Sequence, residues 1–268
     1  MKAMLKQLFS LSLASGMAFA SVVATAIAPQ AALATHRAAC GAQTQYGFAS
    51  HGRASSQGKR IDGIRARFEP LSIELCTGST SAARSSWMWV AIEGACGTSG
   101  NCILQLGMGR TQPEQAMGWW WAWGRSPLAP GCEAYTAVSP VPQRIGDWNG
   151  REVRYEINRV LSSTISLWAF IIDGVHMKDV SEQQICWANT FADWFGESHN
   201  RGSAIGGWDA GHTPNHLDAV ANRYRVRGDA TWYGPGWTAG ARCRIESPKP
   251  PYNCKQKATD QLEYWTNH

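Results

Sequence analysis

Residues 86–94 read SWMWVAIEG, and residues 102–108 read CILQLGM. The side chains of an extended chain point alternately to two faces, so each stretch can form a β-strand with both faces filled. We therefore predict a strand at each stretch. One face of the first stretch carries Trp87, Trp89, Ala91 and Glu93, and the other carries Met88, Val90 and Ile92.

The same period of two recurs along the chain, between short clusters of Gly, Pro, Ser and Asn. Strands separated by such turn residues are typical of an antiparallel sandwich or barrel, so the pattern predicts an all-β fold. A helix over residues 255–265 (KQKATDQLEYW) is the one expected exception. The further strands are predicted at 61–69, 119–123, 151–158, 164–172, 190–197 and 223–233.

The composition is that of a folded domain, because 44% of the 268 residues are hydrophobic and only 17% are charged. That much apolar surface offsets the entropy lost on ordering, which excludes a disordered chain. The formal net charge is +5 and falls to +3 without Lys2 and Lys6, so nucleic acid is not an expected partner. We predict one sandwich domain over 61–268, preceded by a polar segment over 35–60.

The first 34 residues have the pattern of a secretory signal peptide. Two lysines precede an apolar stretch from Leu8 to about Ala28, and small-residue A-x-A sites end at Ala20 and Ala34. We predict cleavage after Ala34, a secreted protein and no membrane association afterwards. The apolar stretch is nearly long enough to leave an uncleaved N-terminal anchor as the alternative.

Eight cysteines follow this leader, which indicates an oxidising compartment and up to four disulfides. Closeness in the sequence favours Cys96 with Cys102, and Cys243 with Cys254. No C-x-x-C pair occurs, and the histidine-containing stretch 207–218 (GWDAGHTPNHLD) has no rigid scaffold. We therefore predict neither a metal ion nor a cofactor.

Fourteen tryptophans are an unusual number for a chain of this length. Residues 119–123 (WWWAW) put indoles on both faces of one strand, so at least one face is either an aromatic-lined groove or covered by a loop. Indoles in a groove stack on sugars or pack on extended peptides. The other interpretation is that they fill the core of a large sandwich.

Four stretches, taken in order, resemble the glutamic peptidases, or eqolisins: MWVAIEG (88–94), CILQLGMG (102–109), WWWAWGRSP (119–127) and ADWFGES (192–198). The family's strands read A-W-V-G-I-D-G, I-L-Q-T-G, A-W-Y-E-W-Y-P and A-E-W/F-I-x-E-D. The resemblance covers about residues 61–200. It implies a two-sheet, concanavalin-like antiparallel β-sandwich (a jelly roll), stabilised here by disulfides.

By this resemblance, Gln105 takes the place of the family's catalytic glutamine and Glu197 that of its catalytic glutamate. The glutamate would activate a water as general base, and the glutamine amide would stabilise the oxyanion on the scissile carbonyl. A secreted, monomeric glutamic-type endopeptidase acting on polypeptides is what the resemblance implies. The expected site-lining residues are Trp89, Glu93, Trp121, Trp123 and Asp193.

Two departures from the family leave open a relative without peptidase activity. Ala122 stands where the family has an acidic residue, and Glu93 is one methylene longer than the family's aspartate. The alternative function is a non-catalytic β-sandwich that binds glycan or peptide through a Trp-rich face. The family's disulfide also implies Cys186 with Cys96 or Cys102, in competition with the local pairing.

Overall fold

The structure is a computed structural model. All residues that it describes belong to one compact unit, His36–His268. The predicted leader and the sulfurs of Cys96, Cys186 and Cys243 lie outside what is described. In the described part of the chain, no helix is long and apolar enough to cross a membrane. The described residues are 43–68, 86–96, 100–110, 118–124, 135–140, 151–162, 164–184, 188–200, 216–236, 244–245 and 252–266.

These residues form β-strands and a single 3-10 turn, Glu182–Gln184. The strands are β1 (Gln43–Ser55), β2 (Ile61–Phe68), β3 (Ser86–Cys96), β4 (Gly100–Arg110), β5 (Gly118–Trp123), β6 (Tyr135–Pro140), β7 (Val153–Leu161), β8 (Ser166–Ile172), β9 (Val175–Ser181), β10 (Ala188–Asn200), β11 (His216–Val226), β12 (Arg244–Ile245), β13 (Tyr252–Ala258) and β14 (Gln261–Thr266).

The strands pair into two antiparallel sheets of seven strands each. The first sheet has the order β12-β1-β10-β3-β4-β5-β6, and the second has the order β13-β14-β11-β2-β7-β8-β9. Strand β10 thus lies between β1 and β3, although it follows β9 of the second sheet in the chain. The prediction of an all-β, antiparallel two-sheet β-sandwich is confirmed.

The helix predicted over 255–265 is wrong, because this segment forms β13 and β14. Cys254, Gln256, Leu262 and Tyr264 are buried, whereas Lys255 and Lys257, on either side of Gln256, are exposed. The burial therefore alternates with a period of two, and the turn between the strands falls at Thr259 and Asp260.

Apolar side chains from both sheets fill the space between them. Buried hydrogen bonds also link the sheets: Trp194 Nε1 donates to the carbonyl of Arg65 at 3.1 Å, the Tyr264 hydroxyl donates to the carbonyl of Trp194 at 2.6 Å, and the Asn189 amide donates to the carbonyl of Ile61. The core includes Met88, Val90, Leu104, Leu106, Trp119, Trp121, Trp123 and Trp194 from the first sheet, with Ile64, Phe68, Tyr155, Ile157, Trp168 and Phe170 from the second.

The polar segment 35–60, in which the sequence predicts no strand, supplies β1 of the first sheet. Within the residues 52–55, Gly52 and Ala54 are buried, and they pair with Trp194 and Ala192 of β10. Such small side chains produce little hydrophobic signal, which is why the period of two is weak there.

Cys102 and Cys254 are buried and disulfide-bonded. No pairing of cysteines is described, so the predicted connectivities stay predictions.

Candidate functional site on the outer face of the first sheet

Alternate residues of the first sheet point away from the second sheet and form a separate apolar cluster. We call this group the outer aromatic cluster: Trp89, Ala91, Ile103, Trp120, Ala122 and Phe195. The antiparallel register places Phe195 directly opposite Trp89 and places Gly107 between Trp89 and Trp120. Side chains opposite one another across paired strands share a face, so these rings come together.

The prediction that Trp121 and Trp123 line the site is wrong. Trp121 pairs with Leu106 and Trp123 pairs with Leu104, and all four belong to the core between the sheets. Trp120, which has the opposite phase along the strand, is the tryptophan of β5 that lies on the outer face. One face of the WWWAW stretch therefore fills the core between the sheets, and the other carries Trp120, which is buried in the outer aromatic cluster.

The rings of the outer aromatic cluster pack tightly against one another. Trp89 stacks on Phe195 with centroids 3.6 Å apart and planes at 12°, and Trp120 meets Trp89 edge-to-face at 6.0 Å and 79°. Trp89, Trp120 and Phe195 are each less than one-tenth exposed. The edge-to-face pair of Trp89 and Trp120 is favourable by about 0.5–1.5 kcal/mol beyond the area it buries, which helps to hold this arrangement.

Arg53 holds two buried carboxylates beside this cluster. Its Nε donates to Asp193 Oδ1 at 2.7 Å, and its Nη2 donates to Glu93 Oε2 at 2.5 Å. The Asp193 side chain is 0% exposed and that of Glu93 is 9% exposed, so both need a charged partner to remain buried. The guanidinium also lies 4.9 Å from the centroid of the Phe191 ring. The three groups form a hydrogen-bonded polar border beside the outer aromatic cluster.

The sequence analysis does not identify Arg53 as a site residue. The structure places Glu93 and Asp193 on the outer face as expected, but it adds the arginine that binds both. The only local signal is a single charge between Gly52 and Ala54 in β1, and its partners lie 40 and 140 residues away along the chain.

Gln105 is the central polar group of this face. Ala91 and Ala122 are its direct neighbours on β3 and β5, and Asp193 is the next residue in the same row, opposite Ala91. Gln105 is partly exposed, whereas both alanines are buried. The small neighbours leave the amide unobstructed along the row, with its donors and its acceptor available for a bound molecule.

Glu197 is partly exposed and lies further along β10 on the same face. Its Oε2 accepts a hydrogen bond from Trp89 Nε1 at 2.9 Å. This contact links a carboxylate to the aromatic surface and fixes the orientation of both groups.

The predicted Gln105–Glu197 dyad shares a face but is not assembled. The two residues lie two strands apart and four residues apart along the strand direction. With strands about 4.8 Å apart and a rise of about 3.3 Å per residue, their Cα atoms are about 16 Å apart. One water cannot contact both side chains across that separation. Asp193, rather than Glu197, shares the row of Gln105, and it is bound to Arg53.

Comparison with protein-family models and with curated protein sequences finds no match. Among solved structures, the chain is similar to an endo-1,3-β-glucanase from Streptomyces sioyaensis, with a TM-score of 0.40 and 18% identity over 65% of each chain. It is also similar to the catalytic domain of an endo-1,3-β-glucanase (laminarinase) from Thermotoga petrophila RKU-1. There the TM-score is 0.38 and the identity 9%, over 81% of this chain and 68% of the other. These similarities do not assign an activity to this chain.

The prediction of a glutamic-type endopeptidase is wrong. The Gln105–Glu197 dyad that the prediction requires is not assembled, and the two solved structures named above are endo-1,3-β-glucanases. The geometry agrees, because the acid that should pair with Gln105 lies about 16 Å away. The resemblance in the four stretches reflects strands of a sandwich with similar alternation.

Proposed function

We propose that this chain is a non-catalytic β-sandwich that binds a neutral glycan on the outer face of its first sheet. The observation that carries the proposal is the combination of the outer aromatic cluster with partly exposed Gln105, Glu197 and Arg53 around it. An extracellular location, as the predicted leader indicates, would bring the chain into contact with such polymers.

The polar side chains around the outer aromatic cluster can form hydrogen bonds with hydroxyl groups. A glutamine amide has two donors and an acceptor, and a carboxylate can accept from two neighbouring hydroxyls. Gln105 and Glu197 supply these groups on one face and are partly exposed, whereas the rings of Trp89 and Trp120 between them are buried. A sugar ring carries a set of hydroxyls, so these two polar side chains are complementary to it.

The carboxylates of this face favour binding over hydrolysis of a glycan. Glycoside hydrolysis uses two carboxyl groups about 5–10 Å apart, one of which donates a proton. Glu93 and Asp193 are less than one-tenth exposed and are both bound to Arg53, so neither carboxyl group is open to a substrate. Glu197 lies four residues beyond Asp193, about 13 Å along the strand. Among the described residues of this face, the acid–nucleophile pair is therefore not formed.

Isothermal titration calorimetry of the folded chain with soluble 1,3-β-glucan, 1,4-β-glucan and dextran tests the proposal. We expect saturable binding to at least one of these polymers. Gln105→Ala should weaken that binding about tenfold, because it removes hydrogen bonds at the centre of the face. The matched control is Gln183→Ala, which changes an exposed glutamine on the 3-10 turn and should leave the affinity unchanged.

Two results would overturn the glycan proposal. One is the absence of binding to all three polymers by a sample whose circular dichroism shows a folded β-protein. The other is that Gln105→Ala and Gln183→Ala weaken glycan binding equally, which would show that the glycan does not bind at Gln105. If the chain binds denatured casein and no glycan, and Gln105→Ala abolishes that binding, the same face binds peptide, as in the alternative function.

A further inference from the structure

Four arginines surround a cavity on the outer face of the second sheet. The cavity has a volume of about 170 Å³ and is lined by Arg65, Ala66, Arg67, Arg154, Ala221 and Arg223, which we call the arginine pocket. Arg223 of β11 lies opposite Arg65 of β2, and Arg67 of β2 lies opposite Arg154 of β7. Three neighbouring strands thus direct four guanidinium groups to one place.

The carboxylates around the pocket do not balance these charges. Arg67 contacts Glu152 at 3.4 Å, Arg154 contacts Glu156 at 3.7 Å, and Arg223 contacts Asp260 at 2.5 Å. Arg65 makes no ion pair within the described part of the chain, and its guanidinium lies 4.3 Å from the ring centroid of Trp232. Like charges directly opposite one another in a sheet are destabilising, so an unfilled pocket carries a cost.

A β-bulge in β11 places one wall of this pocket. Val220 pairs with Arg67 and Arg223 pairs with Arg65, so three residue steps on β11 match two on β2. The extra residue shifts the alternation of side chains by one position, so that Arg223 points to the outer face of the sheet and not into the core. Ala221 within the bulge has φ of +51°, which a non-glycine residue adopts at a cost of about 1–2 kcal/mol. Such bulges commonly re-aim side chains next to functional sites.

Positive charge dominates the surroundings of Arg65 and Arg154. Burial lowers the pKa of the Arg65 guanidinium; Glu156 opposes this shift, while Arg154, Arg223 and Arg67 lower the pKa further. The Nε of Arg154 is buried, lies 3.7 Å from Glu156 Oε2 and makes no hydrogen bond within the described residues. A negative charge in the pocket would offset the repulsion and could accept from these donors.

We propose that the arginine pocket binds an oxyanion: a sulfate, phosphate or carboxylate group, either free in solution or carried by a larger molecule. Guanidinium groups donate paired, parallel hydrogen bonds to such groups, and these charge-assisted bonds are about twice as strong as neutral ones. A cavity of 170 Å³ has room for several water molecules, and hence for an ion of five heavy atoms. The pocket lies on the other sheet and does not depend on the glycan proposal.

Calorimetric titration of inorganic sulfate into the folded full-length chain, with ionic strength held constant by chloride, tests this site. We expect saturable binding of one sulfate, weakened at least about tenfold by Arg65→Gln. Arg67→Gln, at a side chain 54% exposed, provides a second variant that should weaken binding without disturbing the fold. The charge-matched control is Arg151→Gln, whose guanidinium pairs with Asp173 outside the pocket at 2.8 Å and should change the affinity less than twofold.

Titrations with dextran sulfate and neutral dextran identify the source of the anion. If dextran sulfate binds more tightly than inorganic sulfate, competes with it, and loses its binding in Arg65→Gln, that result assigns the pocket to an anionic group carried by a polymer. Binding of inorganic sulfate alone assigns it to a free anion. The proposal is overturned if sulfate gives no saturable heat with the unmodified chain, or if Arg151→Gln weakens binding as much as Arg65→Gln does.

Discussion

At the scale of single residues, Gly107 makes the outer aromatic cluster possible. It lies between Trp89 and Trp120 in the register of β3, β4 and β5. A Cβ atom there would lie 2.5 Å from Trp89 Cβ, 2.8 Å from Trp120 Nε1 and closer still to the carbonyl oxygen of Met88. The two indoles approach one another because this position has no side chain.

Gly107→Ala should lower the free energy of unfolding by about 2–3 kcal/mol, because the added methyl group meets backbone and a buried ring. Urea unfolding followed by circular dichroism measures the change. Gly234→Ala is the matched control, since a Cβ at Gly234 meets only Arg223 Nη1 at 3.8 Å. A loss below about 0.5 kcal/mol for Gly107→Ala would show that the sheet relaxes around it.

At the scale of strands, an ion-pair network closes one end of the second sheet. Glu182 on the 3-10 turn accepts hydrogen bonds from Arg159 at 2.6 Å, from Arg227 at 2.8 Å and from Ser166. Asp62 contacts the same two arginines at 3.5 and 3.1 Å. Burial raises the pKa of Glu182, but the hydrogen bonds from Arg159 and Ser166 outweigh it and hold the pKa at about 2. The network joins β2, β7 and β8 to the residues that follow β9 and β11.

This network should make the domain less stable in acid. A carboxyl whose pKa is lowered in the folded state stabilises it above the unfolded value of 4.5, and that stabilisation is lost as the pH falls towards about 2. Glu182→Gln should therefore cost about 1–2 kcal/mol at pH 7, with the difference shrinking between pH 4.5 and 2. Urea unfolding at several pH values measures this.

Glu152→Gln is the control for the acid experiment, because Glu152 is 49% exposed and has one contact, with Arg67 at 3.4 Å. It should change stability by less than about 0.5 kcal/mol. If the two variants show the same difference from the unmodified chain at every pH, the network does not contribute to acid sensitivity.

At the scale of the whole molecule, the two sheets are held together by a core that encloses tyrosines as well as apolar groups. Tyr155 and Tyr264 are fully buried, and burial raises the pKa of both phenols well above 10. The Tyr264 hydroxyl donates across the core to the carbonyl of Trp194, whereas the Tyr155 hydroxyl makes no hydrogen bond to any residue that the structure describes. Neither phenol can ionise unless the sheets separate.

Alkaline unfolding should follow from these two phenols. A raised pKa in the folded state gives stability that is complete below the unfolded value of 10 and is lost as the pH rises above it. Tyrosinate absorbance should therefore include a cooperative step that coincides with the loss of circular dichroism. Tyr155→Phe together with Tyr264→Phe should remove that step. Ionisation of all tyrosines well before unfolding would show that the core admits hydroxide.

The strands and the fold class could be predicted because they depend on local alternation. The runs at β3, β4 and β10 alternate clearly, so the sequence placed Gln105, Glu93 and Asp193 on strands. The sequence did not predict β1, β6, β9, β13 or β14, and the strand predicted over 223–233 is β11, His216–Val226. In β1 the residues facing the core have small side chains, and the composition of 255–265 also suits a helix. Strand positions therefore follow from the chain itself wherever apolar and polar side chains alternate.

The order of the strands and the faces of the sheets were decided only by tertiary structure. Alternation shows that Trp120 and Trp121 point in opposite directions, but packing against the second sheet decides that Trp121 is core and Trp120 is outside. The pairing of Arg53 with Asp193, and of Arg223 with Arg65 beyond a bulge, joins residues more than a hundred positions apart. Periodicity is a property of neighbours in the chain, whereas both candidate sites come from long-range register, which no local pattern records.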